Sequence, residues 1–110
     1  QALAFAALSQ SKDERFAAIA AKAAKEVAYH AKLASDWVAR LGDGTDESRT
    51  RMERGLDWMW RFVDELFVMD DVDAAALKVG VGFDKAELRP AWDRRIDAVL
   101  ADATLPRPSP

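Results

Sequence analysis

Residues 13–41, DERFAAIAAKAAKEVAYHAKLASDWVARL, decide the fold class of this chain. The stretch has no glycine or proline, and its apolar residues recur at spacings of three and four, the pattern of an amphipathic helix. At 1.5 Å per residue this helix would be about 43 Å long, whereas a compact domain of this size should be about 34 Å across. The sequence therefore predicts a helix that is too long for a self-contained globule.

A second long helix is predicted over residues 46–68, antiparallel to the first. Gly42 is expected to end the first helix in the left-handed conformation, and Thr45 is expected to cap the second. The apolar residues of the second helix cover more than half of its circumference. Such a helix needs more than one neighbour.

Shorter helices are predicted on either side of this pair, over residues 2–8, 74–77 and 90–103. No segment carries a clear strand pattern, so the predicted fold class is all-α, a helical bundle over residues 1–105. Residues 106–110, PRPSP, are expected to form an extended tail, because each proline disfavours helix at the residue before it.

Composition excludes several classes of function. The net charge of -3 argues against binding to a nucleic acid backbone, and no apolar run approaches the roughly 20 residues of a membrane span. The chain has no cysteine, which rules out disulfides and thiolate catalysis and fits a cytoplasmic location. We therefore expect a cytoplasmic protein with neither nucleic acid nor membrane as its partner.

The single histidine lies in the apolar stripe of the first helix. On a helical wheel, Glu26 and His30 both point into this stripe, with Trp37 close to His30. The first interpretation is a buried polar pair in which each side chain reduces the desolvation cost of the other. A bound metal and a proton-transfer role are the alternatives, although the Glu-x-x-His spacing of helical di-iron sites is absent here. We predict no catalytic, cofactor-binding or metal-binding residue.

Packing in the bundle core or at an interface is the expected role of the large apolar residues on both long helices. The residues assigned to this role are Phe16, Val27, Trp37, Met52, Leu56, Met59, Trp60, Val63 and Leu66.

The order of several short motifs resembles the C subunit of bacterial phenylacetyl-CoA epoxidases, which are multicomponent monooxygenases. The resemblance extends over nearly the whole chain. It rests on KEVAYH at 25–30, WVARLGDGT at 37–45, LDWMWRF at 56–62, ELF at 65–67, LRPAW at 88–92 and ATL at 103–105.

The resemblance implies a ferritin-like helical subunit without di-iron ligands, which supports a catalytic partner as a scaffold. In that family the catalytic A subunit holds the iron and inserts one oxygen atom into the aromatic ring of phenylacetyl-CoA, with electrons from a separate reductase. The resemblance thus implies no cofactor in this chain, an A subunit as its partner, and iron in that partner.

Members of that family are considerably longer than this chain, which is therefore expected to be an internal piece of such a subunit. Two long helices cannot bury so wide an apolar surface alone, so we expect two copies to pair or a hetero-oligomeric partner to cover it. A metal-dependent ferritin-like oxidoreductase and a free-standing helical adaptor remain the alternative functions.

Overall fold

The fold is all-α. A computed structural model describes residues 1–109, and no strand occurs in that range. The helices are α1 (Ala2–Leu8), α2 (Glu14–Gly42), α3 (Asp46–Trp60), α4 (Asp71–Lys78) and α5 (Arg89–Asp102), with short 3-10 turns at Asp64–Phe67 and Ala86–Leu88. The predicted fold class is confirmed, and α1, α2 and α5 lie within one residue of their predicted bounds.

Helix α2 sets the long axis of the molecule. Its first turn is capped by Asp13, whose Oδ1 accepts a hydrogen bond from the backbone N–H of Phe16 at 3.0 Å. The helix has 29 residues, about 43 Å at the usual rise, and the molecule measures 50 × 28 × 17 Å. The chain is therefore elongated along α2.

Gly42 does not end α2 in the way that the sequence predicted. Among residues 1–109 a positive φ occurs only at Gly80 and Thr104, so the left-handed stop at Gly42 is wrong. Gly42 is instead the last residue of the helix, and a Cβ on it would lie 2.5 Å from the carbonyl oxygen of Ala103. Glycine is needed at this position because the end of α5 approaches the backbone closely.

Helix α3 is shorter than the predicted 46–68. Thr45 caps it as expected, with Oγ1 accepting from the N–H of Ser48 at 3.1 Å, but the α-helix ends at Trp60. Aromatic and β-branched residues follow this point and favour the helix weakly, and the backbone tightens into turns. These turns bring the ring of Phe67 to within 5.5 Å of Trp92 on α5.

The last third of the chain is held by short-range caps. Asp70 and Asp73 form a capping box at the start of α4, in which the side chain of each accepts from the backbone N–H of the other. Helix α5 has Pro90 in its first turn, where the missing N–H costs no hydrogen bond. Helix α4 therefore begins three residues before the predicted range 74–77 and ends one residue after it.

The core lies where α2, α3 and α5 meet. Its buried residues are Leu100, Ala103 and Leu105, and these contact half-buried side chains at Val38, Met52, Leu56 and Ile96. Residues 106–109 contain no helix or strand, and Pro110 lies outside the described residues. Arg107 attaches this tail to α5 through Asp93 at 2.8 Å and Asp97 at 2.7 Å.

Candidate docking surface

Helix α2 has two apolar faces of different character. The first, which we call the inner stripe, is made mostly of small residues at helical spacing, and it packs against the rest of the chain. Its residues are Ala20, Ala24, Val27, Ala31, Ser35, Val38 and Gly42. Ala20 and Gly42 are buried and the others are half-buried, so this stripe forms the intramolecular contact of α2.

The second apolar face carries larger side chains and is exposed. We call Ile19, Glu26, His30, Leu33 and Trp37 the outer face, which is rotated by about 130° from the inner stripe on the helical wheel. Ile19 is 67% exposed, Leu33 47% and Trp37 52%. Single exposed apolar residues are common, but a row along one helix face is typical of an interaction surface.

The predicted burial of Glu26 and His30 is wrong for this chain. The side chains are 79% and 67% exposed respectively, and Glu26 Oε1 lies 3.9 Å from His30 Nε2. The prediction of a shared face is confirmed, because both residues lie between Ile19 and Trp37 on the outer face. They stay exposed because α1, α3 and α5, which pack against α2, contact other sides of the helix.

The residues predicted to pack divide into two groups. Val27, Met52, Leu56, Trp60 and Val63 are half-buried, in accordance with a packing role. The others, which the sequence placed in the same core or at an interface, are exposed in this chain: Phe16, Trp37, Met59 and Leu66.

Another apolar surface, separate from the two faces of α2, lies beside the core. It is a groove of about 310 Å³ between α3 and α5, and aromatic rings contribute much of its wall. The lining residues are Val38, Leu56, Met59, Trp60, Phe62, Val63, Leu66, Trp92, Ile96, Val99 and Leu100. Every one of these side chains is apolar except for the indole N–H of the tryptophans, so the groove offers shape and apolar area rather than acid–base groups.

The acidic residues of α3 do not complete a metal site with Glu26 and His30. Glu53 pairs with Arg49 at 3.1 Å, and Glu47 pairs with Arg51 at 2.9 Å. In the part of the chain that the structure describes, no group of three or more His, Cys, Asp or Glu side chains is placed to hold a metal ion. The donors of this chain therefore do not fit a di-iron centre, which in helical bundles takes carboxylates from four helices and two histidines.

The ion pairs that shift the pKa values of their members lie away from α2. The Nζ of Lys85 is 2.7 Å from Asp73 Oδ2, and this hydrogen bond is the main reason that the pKa of Asp73 lies below its ordinary value. The same contact raises the pKa of Lys85. Hydrogen bonds to Asp93 and Asp97 raise the pKa of Arg107 in the same way. These pairs stabilise the C-terminal part of the chain and do not involve the outer face.

Sequence reasoning missed the inner stripe and the tail contact. The alanines of α2 were available as a signal, since Ala20, Ala24 and Ala31 follow the helical spacing as regularly as the larger residues do. No sequence signal pointed to Arg107, which also lies 5.2 Å from the ring centre of Trp60. Its partners on α5 are separated from it by a turn whose direction the sequence does not give.

Two comparisons with known proteins agree with each other. A family model described as "Phenylacetic acid catabolic protein" matches residues 1–110. The chain is also 42% identical, over 101 residues, to the C subunit of 1,2-phenylacetyl-CoA epoxidase from Escherichia coli (strain K12). The match covers 92% of this chain and 41% of the relative, so the chain spans less than half of the relative's length. None of the helices in residues 1–109 has the length and apolar character that crossing a bilayer requires.

Proposed function

This chain belongs to the phenylacetic acid catabolic protein family, and from that premise we propose that it is part of a non-catalytic subunit of a phenylacetyl-CoA epoxidase complex. In this proposal the subunit stabilises a catalytic A subunit by packing against it in the cytoplasm. The catalytic partner holds the iron and carries out the oxygenation of the aromatic ring.

The outer face of α2 is the observation that carries this proposal. Ile19, Leu33 and Trp37 leave large apolar areas in water, and burial of one such side chain contributes about 1.5 to 3 kcal/mol. A surface of this kind supports a function in which packing, rather than acid–base chemistry, is the contribution of the chain. The aromatic groove between α3 and α5 adds a second apolar surface of the same kind.

The donor set of the chain supports the placement of the iron in the partner. Glu26 and His30 are separated by three residues, whereas helical di-iron proteins use a Glu-x-x-His spacing together with further carboxylates. One carboxylate and one imidazole leave most ligand positions of a metal pair without a donor. We therefore assign no step of the oxygenation to residues of this chain.

Reconstitution of the complex tests the proposal. The matched 101 residues of the E. coli relative are replaced by their counterpart in this chain, and this exchanged subunit is co-expressed with the catalytic subunit of that complex. We expect the two subunits to co-purify, with iron in proportion to the catalytic subunit. We also expect the pair to epoxidise phenylacetyl-CoA with O2 when the separate reductase supplies the electrons. Failure to co-purify would contradict the proposal.

A metal-dependent oxidoreductase is the second candidate, and the juxtaposition of Glu26 and His30 on one exposed face favours it. Two copies of the chain could bring two such pairs together, although each pair supplies only two donors. Metal analysis of the exchanged subunit alone separates the candidates. Stoichiometric iron or manganese that is lost in Glu26→Ala would favour the oxidoreductase over the structural subunit.

A further inference from the structure

Helix α3 presents a charged and aromatic face on the side away from the core. Trp58 lies about 160° around the helix from Leu56, which packs against the core, and Trp58 is 56% exposed. Three arginines and a phenylalanine surround it on the same side of the helix, and all four are exposed. We call this surface the arginine–tryptophan face, and its residues are Arg51, Arg54, Trp58, Arg61 and Phe62.

The indole of Trp58 is held in place by its neighbours. Arg61 donates its Nε–H to the carbonyl oxygen of Trp58 at 3.0 Å, and its guanidinium carbon lies 5.5 Å from the centre of the indole. The ring of Phe62 packs edge-on against the indole, with 5.3 Å between the ring centres. A side chain that is already ordered loses less conformational entropy when a partner binds. The face is therefore preorganised for a contact.

The charge of this face is opposite to that of the whole chain, which has a net charge of -3. Arg51 is neutralised by Glu47 at 2.9 Å. Among residues 1–109, however, none of the ion pairs includes Arg54 or Arg61. Asp57 lies on the flank of the face, about 100° from Trp58, and forms no ion pair with either arginine in that range. Two cations beside an exposed indole therefore have no carboxylate partner.

These residues fit a contact with a separate chain better than the interior of one bundle. Arginines lie one turn before and one turn after Trp58, and burial of an unpaired guanidinium in an apolar interior is costly. Tryptophan and arginine are the residue types most enriched at binding hot spots between proteins. A second copy would present the same cations and repel the face. A small anion is not favoured either, because small-molecule sites are concave and this face is the convex side of a helix.

We propose that the arginine–tryptophan face is a docking surface for a separate protein chain whose contact region presents carboxylates to Arg54 and Arg61 around an apolar recess for Trp58. Under the proposed function, on which this proposal rests for the identity of the partner, that chain is the catalytic subunit. The contact differs in chemistry from the apolar outer face of α2. Its electrostatic part weakens as salt screens the charges.

Binding of variant exchanged subunits to the catalytic subunit of the E. coli complex tests the proposal, with the dissociation constant measured at low and at high salt. Trp58→Ala should raise the constant by about 30-fold or more, because it removes the buried anchor of the contact. Arg54→Glu should raise it by about tenfold or more at low salt and by less at high salt. Arg94→Glu reverses the charge of an exposed arginine on α5 and is the matched control, with an expected change below about threefold.

Thermal unfolding and sedimentation of the same variants without the catalytic subunit distinguish the other occupants. Trp58→Ala and Arg54→Glu should keep the unfolding midpoint within about 2 °C of the parent, because both positions are exposed. A fall of about 5 °C or more in both variants would place the face inside the subunit and overturn the proposal. A dimer of the parent that either variant dissociates would assign the face to a second copy and would also overturn it.

The binding experiment separates the docking surface from the proposed function. Unchanged dissociation constants for both Trp58→Ala and Arg54→Glu would overturn the docking surface, and the intact complex would leave the proposed function standing. Failure of the parent exchanged subunit to bind the catalytic subunit would instead contradict the proposed function, together with the docking surface that rests on it.

Discussion

The inner stripe and the outer face of α2 share one helix and differ in side-chain size. The buried face is built from alanine, serine, valine and glycine, whereas the exposed face has isoleucine, leucine and tryptophan. Within one self-contained domain the larger apolar side chains would be the buried ones, because burial of apolar area stabilises in proportion to that area. The reversed order teaches that the small residues permit close packing inside this chain, and it supports the proposal that the large ones serve contacts beyond it.

The largest expected difference in the free energy of unfolding is between a leucine-to-alanine change in the core and one on the outer face. Leu100 is 5% exposed in the core, and Leu100→Ala should reduce the free energy of unfolding of the 110-residue chain by about 2 to 5 kcal/mol. Leu33→Ala, on the outer face, should change it by less than about 0.5 kcal/mol in this chain. Urea denaturation followed by circular dichroism measures both values. Similar losses for the two variants would contradict the exposure of Leu33 on the outer face.

Two glycine-to-alanine variants test how closely the inner stripe of α2 is packed. Gly42→Ala introduces a Cβ that would lie 2.5 Å from the oxygen and 2.9 Å from the Cβ of Ala103, and the overpacking should cost about 1 to 3 kcal/mol. Gly55, in α3, has no atom within 4 Å of an added Cβ. Gly55→Ala should therefore stabilise the chain by up to about 1 kcal/mol through helix propensity. Shifts of opposite sign in the denaturation midpoint would confirm the close approach at Gly42.

Loss of the N-terminal cap of α4 should lower the stability of the chain by a smaller amount, and this loss does not involve either face of α2. Asp70→Ala removes the acceptor for the N–H of Asp73, which lies 2.8 Å away, and should cost about 1 kcal/mol. Asp70→Asn keeps an acceptor at the same place and serves as the control. Equal stability of the alanine variant and the parent would show that α4 contributes nothing to the cooperative fold.

Acid denaturation should reveal the contribution of the Asp73–Lys85 ion pair to stability, and a change at the exposed Glu26–His30 pair serves as the control. The pKa of Asp73 lies below 3.8 in the folded state, chiefly because of its hydrogen bond with Lys85. Its contribution is therefore present above the unfolded-state pKa and is lost as the pH falls from that value through the lower folded one. Asp73→Asn should flatten the stability profile in this acid range. Glu26→Gln, which alters only the exposed outer-face pair, should leave the stability at neutral pH unchanged.

The sequence was sufficient for elements that depend on local signals. The absence of glycine and proline over 13–41 predicted α2, and Thr45 was predicted to cap α3, as it does. The end of α3 was not predictable, because the tight turns after Trp60 serve the contact of Phe67 with Trp92, which is distant in sequence. The wheel placed Glu26 and His30 on one face correctly, but it could not tell which of two apolar faces the rest of this chain covers.

The reactivity of a single thiol on the outer face tests the central claim most directly. The chain has no cysteine, so Leu33→Cys introduces its only thiol, and Ala21→Cys provides a matched exposed position. Maleimide labelling is measured in the 110-residue chain and in the co-purified complex of the catalytic subunit with the exchanged subunit, whose other cysteines are replaced by serine. If the outer face is a packing surface of the subunit in its complex, the thiol at position 33 should react at least about tenfold more slowly in the complex, which corresponds to about 1.4 kcal/mol or more of protection, while the thiol at position 21 reacts equally in both. Equal rates at position 33 in the two proteins would contradict the account.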